Sequence, residues 1–193
     1  MNVSKTVLPG VLIIDLHVFP DARGFLLETW HQARYQEYGL PGQFVQDNLS
    51  SSTRGTLRGL HFQHPSDQGK LVYVLQGEMF DVAVDVRAGS PTFGQWVSVL
   101  LSDENNRQVY IPEGFAHGFC VTSERALVAY KCTDFYNPTA DNGVLWNDPD
   151  LGIDWPIRTP ILSEKDSARL PLKAIPRHRL PKYNGDVPSP RSE

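Results

Sequence analysis

His61 and His64 stand three residues apart in HFQHPSDQGKLVYVLQG, the stretch from 61 to 77, and Lys70 follows six residues after the second histidine. Two imidazoles at that spacing, then a glutamate and a glycine, would suit a metal site carried on two β-strands. Lys70 takes the place of the glutamate, and an ammonium repels a divalent ion. An imidazole beside a cation suits a different chemistry, in which the base removes a proton and the cation faces the negative charge that develops. PEGFAHGF at 112–119 adds a third imidazole, His117.

Other side chains have competing bland readings. His17, His31 and His178 read as ordinary satisfied polar residues, and His64, beside Pro65, as a turn or solvent-facing one. Arg58 precedes His61 by three residues, so strand alternation puts the two on opposite faces unless Gly59 bulges the strand. Arg23, in DARGF, has Asp21 as an alternative partner. Were it to share one cavity with Arg58 and Lys70, the three cations would suit an anion such as a pyrophosphate. Tyr130, in ALVAYKCTDFY, reads as a core tyrosine whose hydroxyl needs a partner. Ser163-x-x-Asp166 is a capping-box pattern that would commit the Asp166 carboxylate to backbone N–H groups.

The elements that must position these groups are mostly strands. From Val11 to Asp134, short runs rich in Val, Leu, Phe and Tyr alternate with Gly, Pro, Asn and Asp. Strands are predicted at 11–18, 25–30, 43–49, 56–63, 70–76, 79–86, 94–101, 107–111, 115–121 and 125–134. In MFDVAVDV, Phe80, Val82, Val84 and Val86 alternate with Asp81, Ala83 and Asp85, the pattern of a half-buried strand. Helices are predicted at 31–39, ended by Gly39 and Pro41, and within 162–170. Beyond Asp148 frequent prolines forbid long elements, and the last dozen residues read as a mobile tail. The fold class is therefore all-β, an antiparallel jelly-roll sandwich or barrel with a few short helices, mainly near the C-terminus.

Bulk properties narrow the function. The 193 residues are 40% hydrophobic and 21% charged, which argues for a folded domain with a real core. A formal net charge of −4 argues against general nucleic-acid binding but permits a local cationic pocket. No apolar run approaches the roughly 20 residues of a membrane helix, and the first twenty residues do not read as a signal peptide. Two cysteines, Cys120 and Cys132, make no disulfide framework, so a reduced, cytoplasmic enzyme or binding protein is the simplest class.

PEGFAHGF resembles the second signature of the cupin jelly-roll family, with Val121 where that signature usually has Asn, and the stretch at 61–77 resembles the first. That likeness would gather His61, Lys70 and His117 at one barrel mouth. A longer series is far more specific: DARGFLLETW, FVQDN, GTLRGLHFQ, QGKL, GEMFDVAVDVR, SPTFGQW, IPEGFAHGF, AYKCTDFYNP, LWNDPDLGIDWP and LSEKD. In order and spacing these resemble the dTDP-4-dehydrorhamnose 3,5-epimerase family from about residue 3 to 171. The resemblance implies one epimerase domain over 1–171 with an extension over 172–193.

By position, the resemblance implies that His61 is the general base, with Asp166 as its dyad partner in place of the capping role. Tyr130 becomes the proton donor on the opposite face of the sugar, and Lys70 the cation at its C4 oxygen. Arg23, Glu28, Gln46, Asn48, Arg58, His117, Asp141 and Lys165 fall at positions associated with nucleotide-sugar binding, and Tyr136 at the one that stacks on thymine. At 141 the family often has Glu. The implied substrate is dTDP-4-dehydro-6-deoxy-D-glucose, the assembly a homodimer, and no cofactor or metal is expected. Three alternatives stay open: a single-centre epimerase of another deoxysugar, a metal-dependent cupin using His61, His64 and His117, and a non-catalytic nucleotide-sugar binding module.

Overall fold

The computed structural model describes residues 1–185. The first half of the chain forms β1 (Asn2–Lys5), β2 (Leu12–Asp15), β3 (Val18–Asp21), β4 (Gly24–Leu27), α1 (Gln32–Gln36), β5 (Gln46–Thr53), β6 (Leu57–Gln63) and β7 (Lys70–Gln76). The second forms β8 (Glu78–Asp85), β9 (Trp96–Ser102), β10 (Arg107–Ile111), β11 (Phe115–Val121), β12 (Arg125–Cys132), β13 (Asp141–Gly143) and α2 (Glu164–Ser167). Single 3-10 turns follow at Leu172–Ala174 and Arg177–Arg179. One sheet runs β1-β2-β10-β7-β12-β5, a second runs β13-β6-β11-β8-β9, and β3 and β4 form a separate hairpin. These two facing antiparallel sheets are the expected sandwich, and among the described residues no helix is long and apolar enough to cross a membrane.

Between the sheets lies the main core. Val72, Val74, Val109, Ile111 and Val128 from the first pack against Met79, Ala83, Val99, Phe115 and Phe119 from the second. Each of these but Ala83 contributes roughly 1.5–3 kcal/mol on full burial. Two further clusters cover the outer faces. Tyr35 of α1 packs with Ile14, Leu71 and Tyr110 on the first sheet, and donates its hydroxyl to Gln108 Oε1 at 2.9 Å. A five-residue helix has no stability of its own at that length, so this packing holds it.

The second sheet is covered by the C-terminal segment: Leu151, Trp155, Leu172, Ile175 and Leu180 pack on Val82, Val84, Val86 and Ala116. This changes the reading of β8. Its periodic Val and Phe face is the outer one, beneath the C-terminal segment, while Met79, Asp81, Ala83 and Asp85 point inward, and every one of its residues but Glu78 and Phe80 is buried. A strand covered on both sides carries apolar residues on one face and paired acids on the other.

Several predicted strands match closely: 70–76, 107–111 and 115–121 appear with those bounds. The run at 11–18 splits into β2 and β3, and β1 and β13 were not anticipated. β13 reads Asp-Asn-Gly, a turn composition, yet it pairs with β6 at Asp141–Gln63, Asn142–Phe62 and Gly143–His61. β1 pairs with β2 of its own chain. Past residue 180 the chain stays against the sandwich, with Ala88 N donating to Pro181 O at 2.7 Å and Tyr183 N to Ala88 O at 3.1 Å. The rest of the stretch read as a tail, 186–193, lies outside the described residues.

Candidate active site

His61 sits on β6, and its neighbour on β11 is His117, while Arg58 lies opposite Phe119. Three residues of β6 therefore span two of β11, which is a bulge. Gly59 makes it possible: its φ is +126°, and a Cβ there would lie 2.5 Å from Gly118 Cα. The bulge turns Arg58 to the His61 side, and both line one cleft of about 420 Å³. Arg58 Nε donates to Ser52 Oγ at 3.1 Å.

Asp166 reaches His61 from α2. Ser163 caps that helix, its Oγ accepting from Asp166 N at 3.1 Å. The backbone half of the capping pattern is thus present, but the carboxylate is not spent on it. Asp166 Oδ1 lies 2.5 Å from His61 Nε2, and Oδ2 accepts from Gly59 N at 3.5 Å. Burial pushes the Asp166 carboxyl up, but the contacts from His61, Ser163 and Gly59 outweigh it and hold it below the usual carboxylate range. Its side chain is 6% exposed against 38% for His61, so the imidazole meets solvent and the carboxylate does not.

Lys70 and Tyr130 come from the facing sheet. Lys70 pairs with Cys132 across β7 and β12, and Tyr130 and Cys132 pair with Asn48 and Gln46 across β12 and β5. Alternation then puts all five side chains on the inward face, in a row across three strands. Gln46, Asn48, Lys70, Tyr130 and His61 line a second cleft of about 220 Å³. Burial pulls the Lys70 ammonium below the ordinary lysine range, although Cys132, Glu113 and Asp141 oppose it. Burial pushes the Tyr130 hydroxyl up, aided by Cys132 and opposed by Arg58, so it stays protonated at neutral pH.

The two clefts meet at His61, Tyr136 and Asp141. Asp141 pairs with Lys165 and, at 2.7 Å, with Arg169. Burial pushes its carboxyl up, but those two cations hold it below the usual range. Gln46 fixes the Tyr136 backbone, its Oε1 accepting from Tyr136 N at 2.8 Å, and leaves the ring half exposed at the junction.

Three of the site residues expected from the sequence land elsewhere. Arg23, on the turn of the β3–β4 hairpin, pairs with Asp21 at 2.6 Å and lines neither cleft, and Glu28 pairs with Arg34 at 3.1 Å. The β3–β4 hairpin is a sheet separate from the sandwich, and neither Arg23 on its turn nor Glu28 just after it lines a cleft of the same chain. His117 sits beside His61 on the adjacent strand, buried, with Nε2 2.7 Å from Asp81 Oδ2, and it too lines neither cleft. His64 bonds Asp67 at 2.8 Å in its turn, so the three histidines of the metal reading do not converge. Among the described residues no group of three or more His, Cys, Asp or Glu side chains is placed to hold a metal ion. Two partners escaped the sequence reading. Asp81 is an inward acid opposite Phe119 on an alternating strand, which signals a buried partner. Arg169 follows Lys165 by four residues, the spacing that puts two side chains on one side of a helix.

Residues 5–174 match the family described as dTDP-4-dehydrorhamnose 3,5-epimerase. The chain belongs to that family. The dTDP-4-dehydrorhamnose 3,5-epimerase of Methanothermobacter thermautotrophicus is 54% identical over 89% of this chain and 95% of its own. A crystal structure of dTDP-6-deoxy-D-glucose-3,5-epimerase from Legionella pneumophila Philadelphia 1, in complex with dTDP-4-keto-L-rhamnose, is 51% identical. It superposes with a TM-score of 0.93 over 95% of this chain and 99% of its own. A dTDP-4-dehydrorhamnose 3-epimerase from Streptomyces niveus is also similar, 44% identical over 98% of this chain and 95% of its own. Family likeness at this level thus extends to an enzyme named for one centre.

Proposed function

We infer that this chain catalyses epimerisation at C3 and C5 of dTDP-4-dehydro-6-deoxy-D-glucose, giving dTDP-4-dehydro-L-rhamnose on the route to dTDP-L-rhamnose. A proton at C3 or C5 is acidic only because the carbanion delocalises onto the C4 oxygen. Removing it needs a base and, at that oxygen, a cation or hydrogen-bond donor. Inverting the centre then needs an acid on the other face of the ring. The observation that carries the reading is that His61, Lys70 and Tyr130 line one 220 Å³ cleft, His61 from one sheet and the other two from the sheet facing it.

His61 takes the proton on the nitrogen not bonded to Asp166, and the carboxylate stabilises the imidazolium that forms. Lys70 faces the enolate oxygen. Tyr130, approaching from the opposite sheet, returns a proton to the other face of the ring. The larger cleft takes the nucleotide, with Arg58 and Lys165 for the diphosphate and the exposed Tyr136 ring for the base. Gln46, Asn48 and Asp141 hold the walls at the junction. His117, buried beside His61 and bonded to Asp81, steadies the strand pair that carries His61 rather than touching substrate. No step changes oxidation state, so the reading calls for no cofactor.

The working unit we propose is a homodimer in the cytoplasm, where its two unpaired, buried cysteines stay reduced. Phe19, Phe25 and Leu26 are 53–73% exposed on the hairpin that carries Arg23. A second copy covering them would bring Arg23, with Glu28 just after the hairpin, to the partner's cleft. The test of the reaction is a proton NMR time course of dTDP-4-dehydro-6-deoxy-D-glucose with the purified protein in deuterated buffer. Deuterium should enter at both C3 and C5. Entry at one carbon alone would make the chain a single-centre epimerase, and no entry would contradict the reading.

A further inference from the structure

Two cations meet Asp141 at one oxygen. Lys165 Nζ and Arg169 Nη2 both bond Oδ2, the latter at 2.7 Å. The Asp141 and Arg169 side chains are 11% and 13% exposed, but that of Lys165 is 54% exposed. Lys165 lines the larger cleft with Arg58 and Asp141, whereas Arg169 lines neither cleft. One cation is therefore placed to leave the carboxylate and the other to stay.

The fold fixes Arg169 in that position. Leu170, next to it, runs parallel to Val144, and its carbonyl accepts from Leu145 N at 2.9 Å. The Arg169 side chain then passes over Gly143 to reach Asp141: a Cβ on Gly143 would lie 2.7 Å from Arg169 Nε and 2.7 Å from Leu60 O. Only a glycine leaves room for that side chain. Lys165 instead belongs to the four-residue α2, and its long side chain is more than half in solvent.

A diphosphate in the larger cleft draws Lys165 off Asp141. Were Lys165 the only partner, the largely buried carboxylate would be left unpaired, and an unpaired buried charge is costly. That cost would weaken substrate binding. We propose that Arg169 is a positioning residue for the substrate: by holding Asp141 on its own, it releases Lys165 to the diphosphate. The proposal rests on the reading of Lys165 as a substrate contact. Arg169 itself touches neither substrate nor the proton-transfer groups, so its effect falls on KM and not on kcat.

The experiment is calorimetric titration of dTDP into wild type and variants, with KM and kcat for dTDP-4-dehydro-6-deoxy-D-glucose measured on the same preparations. Arg169→Gln should bind dTDP roughly tenfold more weakly, the loss expected for one charge-assisted hydrogen bond. Its KM should rise while kcat holds, which also shows that the variant is folded. Arg169→Lys, which keeps a cation at Asp141, should lose less. Adding Asp141→Asn to Arg169→Gln should restore most of the binding, because an amide does not hold Lys165 as a carboxylate does. On a Lys165→Gln background, Arg169→Gln should add little, since the side chain it releases is gone. A loss of positive charge alone would add in full on that background, and that additive result would overturn the proposal. Wild-type binding by Arg169→Gln, or no recovery on adding Asp141→Asn, would overturn it too. Wild-type binding by Lys165→Gln would remove the contact on which it rests. Failure of the wild-type protein to bind dTDP would count against the proposed function instead.

Discussion

His61 and Asp166, 105 positions apart in the chain, meet at 2.5 Å, while the backbone N–H of Asp166 is taken by Ser163. The residue therefore serves helix α2 with its backbone and the imidazole with its side chain. This separates two effects that one substitution would otherwise mix. Asp166→Asn should lower kcat by roughly 10² to 10⁴-fold, because an amide can hold the wrong tautomer and cannot stabilise an imidazolium. It should change unfolding free energy far less than a core truncation would, since the cap remains. Steady-state kinetics and urea unfolding on the same preparation check both. A large loss of stability with little loss of kcat would reverse the assignment.

Lys70 gives a pH prediction. Burial lowers its proton affinity, so the ammonium is lost as pH rises through a value below the ordinary lysine range. If the ammonium faces the enolate oxygen, kcat/KM should fall on the alkaline side sooner than an unperturbed lysine would allow. Lys70→Arg, protonated throughout, should be slower but should lose that alkaline limb, and Lys70→Gln should be slower by roughly 10² to 10³-fold. A limb unchanged in Lys70→Arg would place its origin in another group.

Much of this arrangement is legible in the sequence, and the exceptions have physical causes. The strands at 70–76, 107–111 and 115–121 follow from alternation between turn residues, and alternation also aligns Gln46, Asn48, Lys70 and Tyr130. Arg58 was ambiguous because one glycine decides its face, and only the close approach of Gly118 shows that Gly59 bulges. β13 was hidden because Asp-Asn-Gly has no strand preference and is held by its neighbour β6. Asp166 was misjudged by local pattern alone: its cap is local, and its partner is over a hundred residues away. Arg23 and Glu28 match the family's motif but line neither cleft of the chain, because a motif is matched by position along the chain and not by place in the fold.

The Gly59 bulge can be tested directly. Gly59→Ala combines a positive φ with a backbone clash that no side chain can relieve. It should cost roughly 3 kcal/mol or more of stability. A variant that folds should bind dTDP more weakly, because Arg58 no longer shares a side with His61. Urea unfolding and dTDP titration check this, and wild-type values for both would show that the bulge is dispensable.

Asp85 ends β8 with a buried carboxylate. Its buried carboxylate accepts from Arg87, Ser90 and Thr92 at 2.6–3.0 Å, and Arg87 lies over the rings of Phe115 and Tyr183. Burial pushes the carboxyl up, but those donors hold it below the usual range. A depressed carboxyl stabilises above its unfolded pKa, near 4, and loses that stabilisation as pH falls through the folded value. Asp85→Asn should cost about 3 kcal/mol at pH 7. The gap from wild type should narrow below about pH 4, and a gap that stayed constant on acidification would contradict this.

The proposed dimer has the β3–β4 hairpin at its interface. Leu26→Asp puts a charge in the exposed apolar set and should yield a monomer by sedimentation. If Arg23 acts across copies, that monomer should also have a raised KM. A Leu26→Asp protein that remained dimeric with unchanged KM would move the interface elsewhere.

In the proposed reaction His61 removes the proton and Tyr130 returns it from the other face. Deuterium incorporation at C3 and C5, followed by NMR together with product configuration, tests it most directly. His61→Ala should abolish incorporation at both carbons, whereas Tyr130→Phe should retain some incorporation with little inversion. Incorporation at the wild-type rate in His61→Ala would contradict the account.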